Sequence, residues 1–370
     1  MIKCAVPFIE GFTKSTGSAK YRNCCATNPQ IVSKNNQNFS DWWKSKELNK
    51  FRESLQKDVL PKACAGCALQ EKIQGTSFRT AVNKTVNLNS LNSKWPSRWN
   101  VSFGNICNLA CWMCSEYSSS VIQTHKKKLG MLKKDFEDPE IKFQKVWKTL
   151  ELDILKSYEI HDTVTLTILG GEPLYNKQVL DFLAKLVRLN LSRRTKLEFH
   201  TNATQCNKKI KDILKLKTWK YICMFLSIDA IGKKAEWLRY GTNWQKLEKN
   251  IPNLKRMSNY LEVHCTVSLL NISDLPALKN FCNKFKISFK VDALYQPWYL
   301  RLHHWDYDPN SLVDKDLLTT NGFEDLYNLI GKEKKHGCLN ALKKYIQKFD
   351  SIRKPLVNFD KELAKKLKIH

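Results

Sequence analysis

The sequence predicts an α/β fold whose centre is a partly closed parallel barrel. Six short apolar runs between residues 98 and 294 alternate with longer stretches of helical periodicity, so the repeating unit is strand then helix. That order implies a parallel sheet with right-handed crossovers. Five cysteines in loop-rich sequence before residue 95, and the end of the strand rhythm near residue 301, bound the barrel on either side.

Residues 1–95 are expected to form a small cysteine-bearing module around Cys4, Cys24, Cys25, Cys64 and Cys67. Within it, "NFSDWWKSKELNKFRESLQ" reads as one amphipathic helix. "LNSKWPS", with Pro96 among polar residues, marks a linker. The barrel, residues 96–300, takes its strands from "RWNVSFGN" (98–105), "TVTLTIL" (163–169), "KLEFHT" (196–201), "YICMFLSI" (221–228), "LEVHCTVSLL" (261–270) and "ISFKVDAL" (287–294). Helices are expected at about 141–160, 176–190, 243–257 and 274–284. Together these make a partial (β/α)6, TIM-like barrel. Residues 301–370 read as a helical, Lys-rich tail with helices at about 324–348 and 359–368.

At 370 residues and 42% hydrophobic, the chain can bury a large core, which excludes a disordered protein. The opening "MIKCAVPFIEGF" holds only a short apolar run broken by Cys4 and Pro7, without a long h-region or a small-residue cleavage site. No uninterrupted apolar stretch approaches the roughly 18 residues of a membrane span, so no membrane partner is expected and the expected location is the cytoplasm. Thirteen cysteines there point to metal ligation over disulfides, because cytoplasmic thiols are kept reduced. The formal charge of +27 can attract nucleic acid, acidic peptides or anionic cofactors. Lys and Asn are abundant throughout, however, and runs such as Lys126-Lys127-Lys128 read equally as solvated helix faces.

The strongest chemical signal is "CNLACWMC", directly after the first barrel strand. Cys107, Cys111 and Cys114 in a CxxxCxxC spacing can each take one corner iron of a cubane and leave the fourth iron open to a small-molecule chelate. Zinc competes, but structural zinc takes four protein ligands and no fourth Cys or His lies near the loop in sequence. At the end of the second strand, "LGGEP" places Gly170, Gly171, Glu172 and Pro173. Two glycines allow close backbone approach to a ligand, and a carboxylate can accept hydrogen bonds from an ammonium group. The next strand ends supply Thr201 and Asn202 ("HTNAT") and Ser227 and Asp229 ("SIDA"), which can bond ribose hydroxyls or a carboxylate, or cap the following helix. In such barrels, functional groups gather where these motifs fall, at the C-terminal strand ends.

Across about residues 98–300 the sequence resembles the radical S-adenosylmethionine superfamily, through "CNLACWMC", "GGEP" and "SIDA". The resemblance implies that Cys107, Cys111 and Cys114 ligate a [4Fe–4S] cluster and that S-adenosylmethionine chelates its open iron. It also implies that Gly170, Gly171 and Glu172 hold the methionine amine, with Ser227 and Asp229 near the ribose. The family usually has an aromatic residue just before the third cysteine; here Met113 stands there and Trp112 one earlier. The N-terminal module looks like a twitch domain, which implies a second, auxiliary Fe–S cluster on Cys4, Cys24 or Cys25, Cys64 and Cys67, with Gly17 in the glycine-containing stretch between. Cys24 is preferred over Cys25, and zinc in a four-cysteine site is the alternative there.

The implied activity is reductive cleavage of S-adenosylmethionine to a 5′-deoxyadenosyl radical that abstracts hydrogen from a substrate. A peptide or protein side chain is the first expectation, and a flavodoxin- or ferredoxin-type protein the expected reductant. Two alternatives stay open: radical modification of a nucleic acid or nucleotide, motivated by the charge, and a non-catalytic zinc or Fe–S binding protein. Cys206, Cys223, Cys265, Cys282 and Cys338 are scattered singly and read as buried small hydrophobes. Arg239 and Tyr240 in "WLRYG" read as carboxylate binders or as a surface ion pair.

Overall fold

The computed structural model describes residues 3–13, 21–34, 37–57, 60–88, 91, 94–367 and 369. Its strands are β1 (Glu10–Thr13), β2 (Tyr21–Arg22), β3 (Arg98–Ser102), β4 (Ala110–Cys111), β5 (Val164–Leu169), β6 (Thr195–Thr201), β7 (Tyr221–Ser227), β8 (Arg239–Tyr240), β9 (Tyr260–Val267) and β10 (Ser288–Ala293). Eight of them form one sheet in the order β10-β9-β7-β6-β5-β3-β1-β2. The six expected strands, β3, β5, β6, β7, β9 and β10, run parallel in sequence order, so the partial (β/α)6 barrel holds. β10 and β3 are not neighbours in this order, which leaves the barrel open.

Period-two patterning sets the two faces. In β9, Leu261, Val263, Cys265 and Val267 are buried while Glu262, His264 and Thr266 alternate with them on the other face. The helices that cover the apolar face start on side-chain caps: Asp138, Asn176 and Asn243 each accept a backbone N–H of the first turn. In the helix Pro139–Ile160, Phe143, Trp147, Leu150 and Ile154 face the sheet at three- and four-residue spacing. Each such side chain contributes roughly 1.5–3 kcal/mol by leaving water. Among the described residues, no helix is long and apolar enough to cross a membrane.

The N-terminal region departs from the expected separate module in three ways. β1 pairs in parallel with β3, with Glu10 opposite Arg98, and β2 adds antiparallel to β1, so the barrel sheet continues into the first 22 residues. The expected single helix breaks into Phe39–Trp43 and Lys46–Ser54, because the Ser45 side chain accepts the Leu48 N–H and starts a second helix there. The expected linker is docked: Trp95 is buried and its indole N–H donates to the Asp153 carbonyl at 2.9 Å. A distinct core around Cys4, Phe8, Phe12, Cys24 and Cys64 nevertheless persists beside the main one. In the tail, the expected helix at 324–348 is interrupted. Gly331 and Gly337, both at positive φ, separate Glu324–Leu329 from Cys338–Asp350. The last expected helix is Lys361–Lys366.

Candidate active site

The loop from β3 is shaped by its own polar residues. The Asn105 amide donates to the Glu116 carbonyl at 2.8 Å and to Gln123 Oε1 at 2.7 Å. The Ser119 hydroxyl donates to the Leu109 carbonyl at 2.6 Å while capping the helix Ser120–Lys128. The Cys107 N–H donates to Ser120 Oγ, and the Leu109 N–H points at Cys107 Sγ at 3.4 Å. Cys111 lies in β4, which pairs with β8, so Arg239 stands opposite Cys111 and its Nη1 reaches within 3.7 Å of the sulfur.

The Gly170–Gly171 turn is seated on this loop. Both glycines have positive φ, and a Cβ on Gly171 would lie 2.0 Å from the Ile106 carbonyl oxygen, one on Gly170 2.5 Å from that of Gly104. The Glu172 N–H donates to the Ile106 carbonyl at 2.8 Å, and Pro173 is buried beside it. The glycines are therefore required by the approach of two protein backbones.

Glu172 is buried and joins three segments. Oε1 accepts the Thr201 hydroxyl at 2.6 Å and the Leu174 N–H at 3.0 Å, and Oε2 accepts the Asn202 N–H at 2.6 Å. Burial pushes its carboxyl up to about 6 in spite of these bonds. Asn202 in turn donates to Asn108 Oδ1 at 2.9 Å, and Asn108 donates to Thr204 Oγ1, which ties the β6 end to the cysteine loop.

Ser227 stands half-buried at the end of β7. Asp229 is fully buried and already engaged: Oδ1 accepts the Thr266 N–H at 2.8 Å and Oδ2 lies 2.8 Å from Arg239 Nε. Its carboxylate therefore orients Arg239 and Thr266, the partners that its two oxygens have in this structure. Arg239, read from sequence as a carboxylate binder or surface ion pair, is a buried partner of Asp229 and Cys111. Burial works against its charge, but Asp229 and Cys111 hold its pKa above the ordinary value.

All three loop thiols are held neutral by burial, Cys114 at about 12. Among the described residues no three Cys, His, Asp or Glu side chains stand close enough to hold a metal ion as placed, but three sulfur donors on one loop are chemically the donor set that an iron–sulfur cube with one open corner takes. A cavity of about 540 Å³, open to solvent, adjoins Cys111 and Cys114 and is lined by Lys126, Arg239, Gln296, Tyr299 and Tyr345. Residues 101–277 match the family model described as the Radical SAM superfamily.

The chain carries a radical SAM domain. Among solved structures, it is similar to Streptococcus suis SuiB bound to S-adenosylmethionine, at 17% identity over 83% of this chain and 58% of that one, with a TM-score of 0.38. It is similar to native anSMEcpe with bound AdoMet, at 17% identity over 63% and 62%, TM-score 0.42. A third likeness is to the methyltransferase TsrM from Kitasatospora setae with cobalamin and [4Fe–4S] cluster bound, at 12% identity over 52% and 34%, TM-score 0.36. The chain spans less than two thirds of the length of each. No curated protein matches the sequence.

Outside the radical SAM domain, Cys4, Cys24, Cys64 and Cys67 line one small, mostly apolar cavity of about 10 Å³ together with Val6, Pro7, Phe51, Leu55 and Phe78. Cys25 is exposed and does not line it. Gly17 lies outside the described residues. Burial raises the Cys4 and Cys64 thiols, the latter to about 11, and the Ala26 N–H points at Cys24 Sγ at 3.4 Å. All thirteen cysteines are free thiols. Cys206, Cys223, Cys265, Cys282 and Cys338 join neither set.

Sequence reading missed Asn108, the tether between loop and β6, and Tyr299 and Tyr345, which line the cavity. It also missed the burial of Trp112, which packs 4.9 Å from Trp237 and 5.6 Å from Phe349 and is core. A short polar side chain inside a cysteine motif was the available signal for Asn108; distant tyrosines carry none.

Proposed function

We propose that this protein is a radical SAM enzyme that reductively cleaves S-adenosylmethionine and abstracts hydrogen from a peptide or protein side chain, with a second iron–sulfur cluster in the N-terminal cavity. The observation that carries the reading is the cysteine loop: three thiols at the C-terminal mouth of a parallel barrel, with the Gly170–Gly171 turn seated on the backbone between β3 and Cys107.

Cys107, Cys111 and Cys114 would hold the cube. When bound, the cluster supplies one low-potential electron that breaks the C5′–S bond of S-adenosylmethionine and yields the 5′-deoxyadenosyl radical. The chain's own residues supply position. Asn108, Glu172 and Asn202 lock the loop, the glycine turn and the β6 end together, so a cosubstrate at this mouth meets a fixed wall. The cavity beside Cys111 and Cys114 offers amide, hydroxyl and cationic donors together with ring faces, which suits a polypeptide segment. The four N-terminal thiols leave no open coordination site on a cluster, so that cluster would carry electrons, as net oxidation of the substrate requires. A small flavodoxin- or ferredoxin-type protein is the proposed reductant.

The test is 5′-deoxyadenosine formation by anaerobically reconstituted protein with dithionite and S-adenosylmethionine, against Cys111→Ala treated identically. Formation by wild type alone is expected. Equal yields from both would remove the cysteine loop as the site. A mass change in a candidate peptide, dependent on turnover, tests the substrate class.

A further inference from the structure

Among the described residues, no carboxylate lines the cavity beside Cys111 and Cys114. The two cations that line it are already answered: Lys126 is paired with Glu116 at 2.5 Å and Arg239 with Asp229 at 2.8 Å. The cations around its rim are not. Between Tyr295 and Lys348 no Lys or Arg forms an ion pair among the described residues.

Two segments build this rim. After β10, Gln296 and Tyr299 line the cavity, and Tyr295 beside them is 75% exposed. The Arg301 guanidinium lies 3.8 Å from the Tyr295 ring centroid, and its Nε donates to the Tyr295 carbonyl. Lys335 Nζ lies 4.3 Å from the Trp298 ring centroid, and the Trp298 ring stands 5.8 Å from that of Tyr299. On the second segment, the helix Cys338–Asp350, Tyr345 lines the cavity and packs 4.8 Å from Tyr299. Lys344 adjoins it and Lys348 follows one turn later, both exposed. Residues 332–348 hold six Lys against one acid, Glu333. Glu333 leans toward His304, 4.0 Å away, and the neighbouring Asp306 accepts the Gly337 N–H at 2.9 Å.

Ring faces, and not carboxylates, hold Arg301 and Lys335 in place. A cation held this way keeps donors for another partner, and Arg presents them as a planar fork that matches a carboxylate. On the barrel's outer helices, exposed lysines do meet acids: Lys209 meets Asp181, Lys215 meets Asp212 and Lys284 meets Glu248. The mouth is thus ringed by unanswered positive charge, around a lining of hydroxyl, amide and ring faces. Its complement is a chain with carboxylates flanking one side chain that enters the cavity.

We propose that the polypeptide acted on here is acidic next to its reacting residue, and that Arg301, Lys335, Lys344 and Lys348 hold the flanking carboxylates. The proposal rests on the functional reading above and narrows its substrate class.

The test is fluorescence anisotropy of short labelled peptides of one Gly/Ser/Tyr sequence, whose variable positions are all Glu, all Gln or all Lys, with reconstituted full-length protein at physiological ionic strength. The Glu peptide is expected to bind about tenfold tighter than the Gln peptide, and the Lys peptide not to bind. Arg301→Glu with Lys335→Glu is expected to erase that preference. Lys344→Glu with Lys348→Glu is expected to do the same, and changes only exposed helix positions, so it decides the matter if the first pair fails to fold. Lys217→Glu with Lys220→Glu, at the opposite, N-terminal end of β7, is expected to stay within about twofold of wild type. Equal weakening by the rim and the remote reversals, or equal binding of the Glu and Gln peptides, overturns the proposal and leaves the rim part of the general charge of +27. An oligonucleotide of equal charge that binds tighter than the Glu peptide, and only while the rim is intact, overturns it in favour of nucleic acid. Wild type that takes up no iron and sulfide overturns the functional reading instead, whatever the peptides do.

Discussion

Glu172 Oε1 accepts the Thr201 hydroxyl at 2.6 Å, so a carboxylate expected to greet a ligand amine is bound first to the next strand end. Its folded pKa, raised from 4.5 to about 6 by burial, lies above that of the unfolded chain. The stabilisation it gives on protonation is thus complete below about pH 4.5 and lost as pH climbs through about 6. Urea unfolding from pH 4 to 7 is expected to show wild type losing roughly 2 kcal/mol relative to Glu172→Gln across that window. A pH-independent difference would mean that the folded pKa of Glu172 equals its unfolded value.

Gly171→Ala is expected to be severe. The substitution puts a Cβ at a left-handed φ of 56° and 2.0 Å from the Ile106 carbonyl oxygen. Backbone strain and the displaced loop together are expected to cost on the order of 3 kcal/mol, with S-adenosylmethionine affinity falling in parallel. Thermal unfolding and calorimetric titration check this; a variant with wild-type stability would show that the turn can lift off the loop.

In the Asp229–Arg239 pair the carboxylate is fully buried and the guanidinium mostly so. Asp229→Asn leaves a guanidinium without its anion and is expected to destabilise by about 3–5 kcal/mol, whereas Asp229→Asn with Arg239→Met recovers much of that. Denaturant unfolding of the four proteins in the cycle gives the coupling directly. Additive losses would place the two side chains out of contact.

For the N-terminal cavity, Cys64→Ala is expected to remove close to one cluster's iron and sulfide per chain. Cys25→Ala is expected to remove none, because Cys25 is exposed and does not line the cavity. Equal losses in both variants would exchange the roles of the neighbouring pair.

The barrel was legible because its code is local. Alternation in β9 and the three- and four-residue spacing in Pro139–Ile160 are written within each segment, and the strands fall within a residue or a few of expectation. The cysteine loop was legible for the same reason, since spacing and position after a strand are both read along the chain. What escaped depends on partners far apart. Nothing around Glu10 announces that it will pair with Arg98, and Arg353 is an ordinary basic residue until Trp112 and Tyr240 surround it. The helix read across Ser45 failed on a short competition: an unbroken apolar periodicity lost to one hydroxyl that caps better than it continues. Asp229 was placed at the right strand end, but its pairing with Arg239 was not legible, because that partner lies after an intervening helix.

The parallel pairing of β1 with β3 also sets an order of events during synthesis. Cys4 and β1 leave the ribosome long before Arg98–Ser102, and until that strand emerges the edge of β1 has nothing to hold it. Throughout that interval β1 has β2 and the small N-terminal core beside it, but not the barrel. If that cavity is the proposed second cluster site, its full seating on the barrel sheet is expected only once β3 has been made.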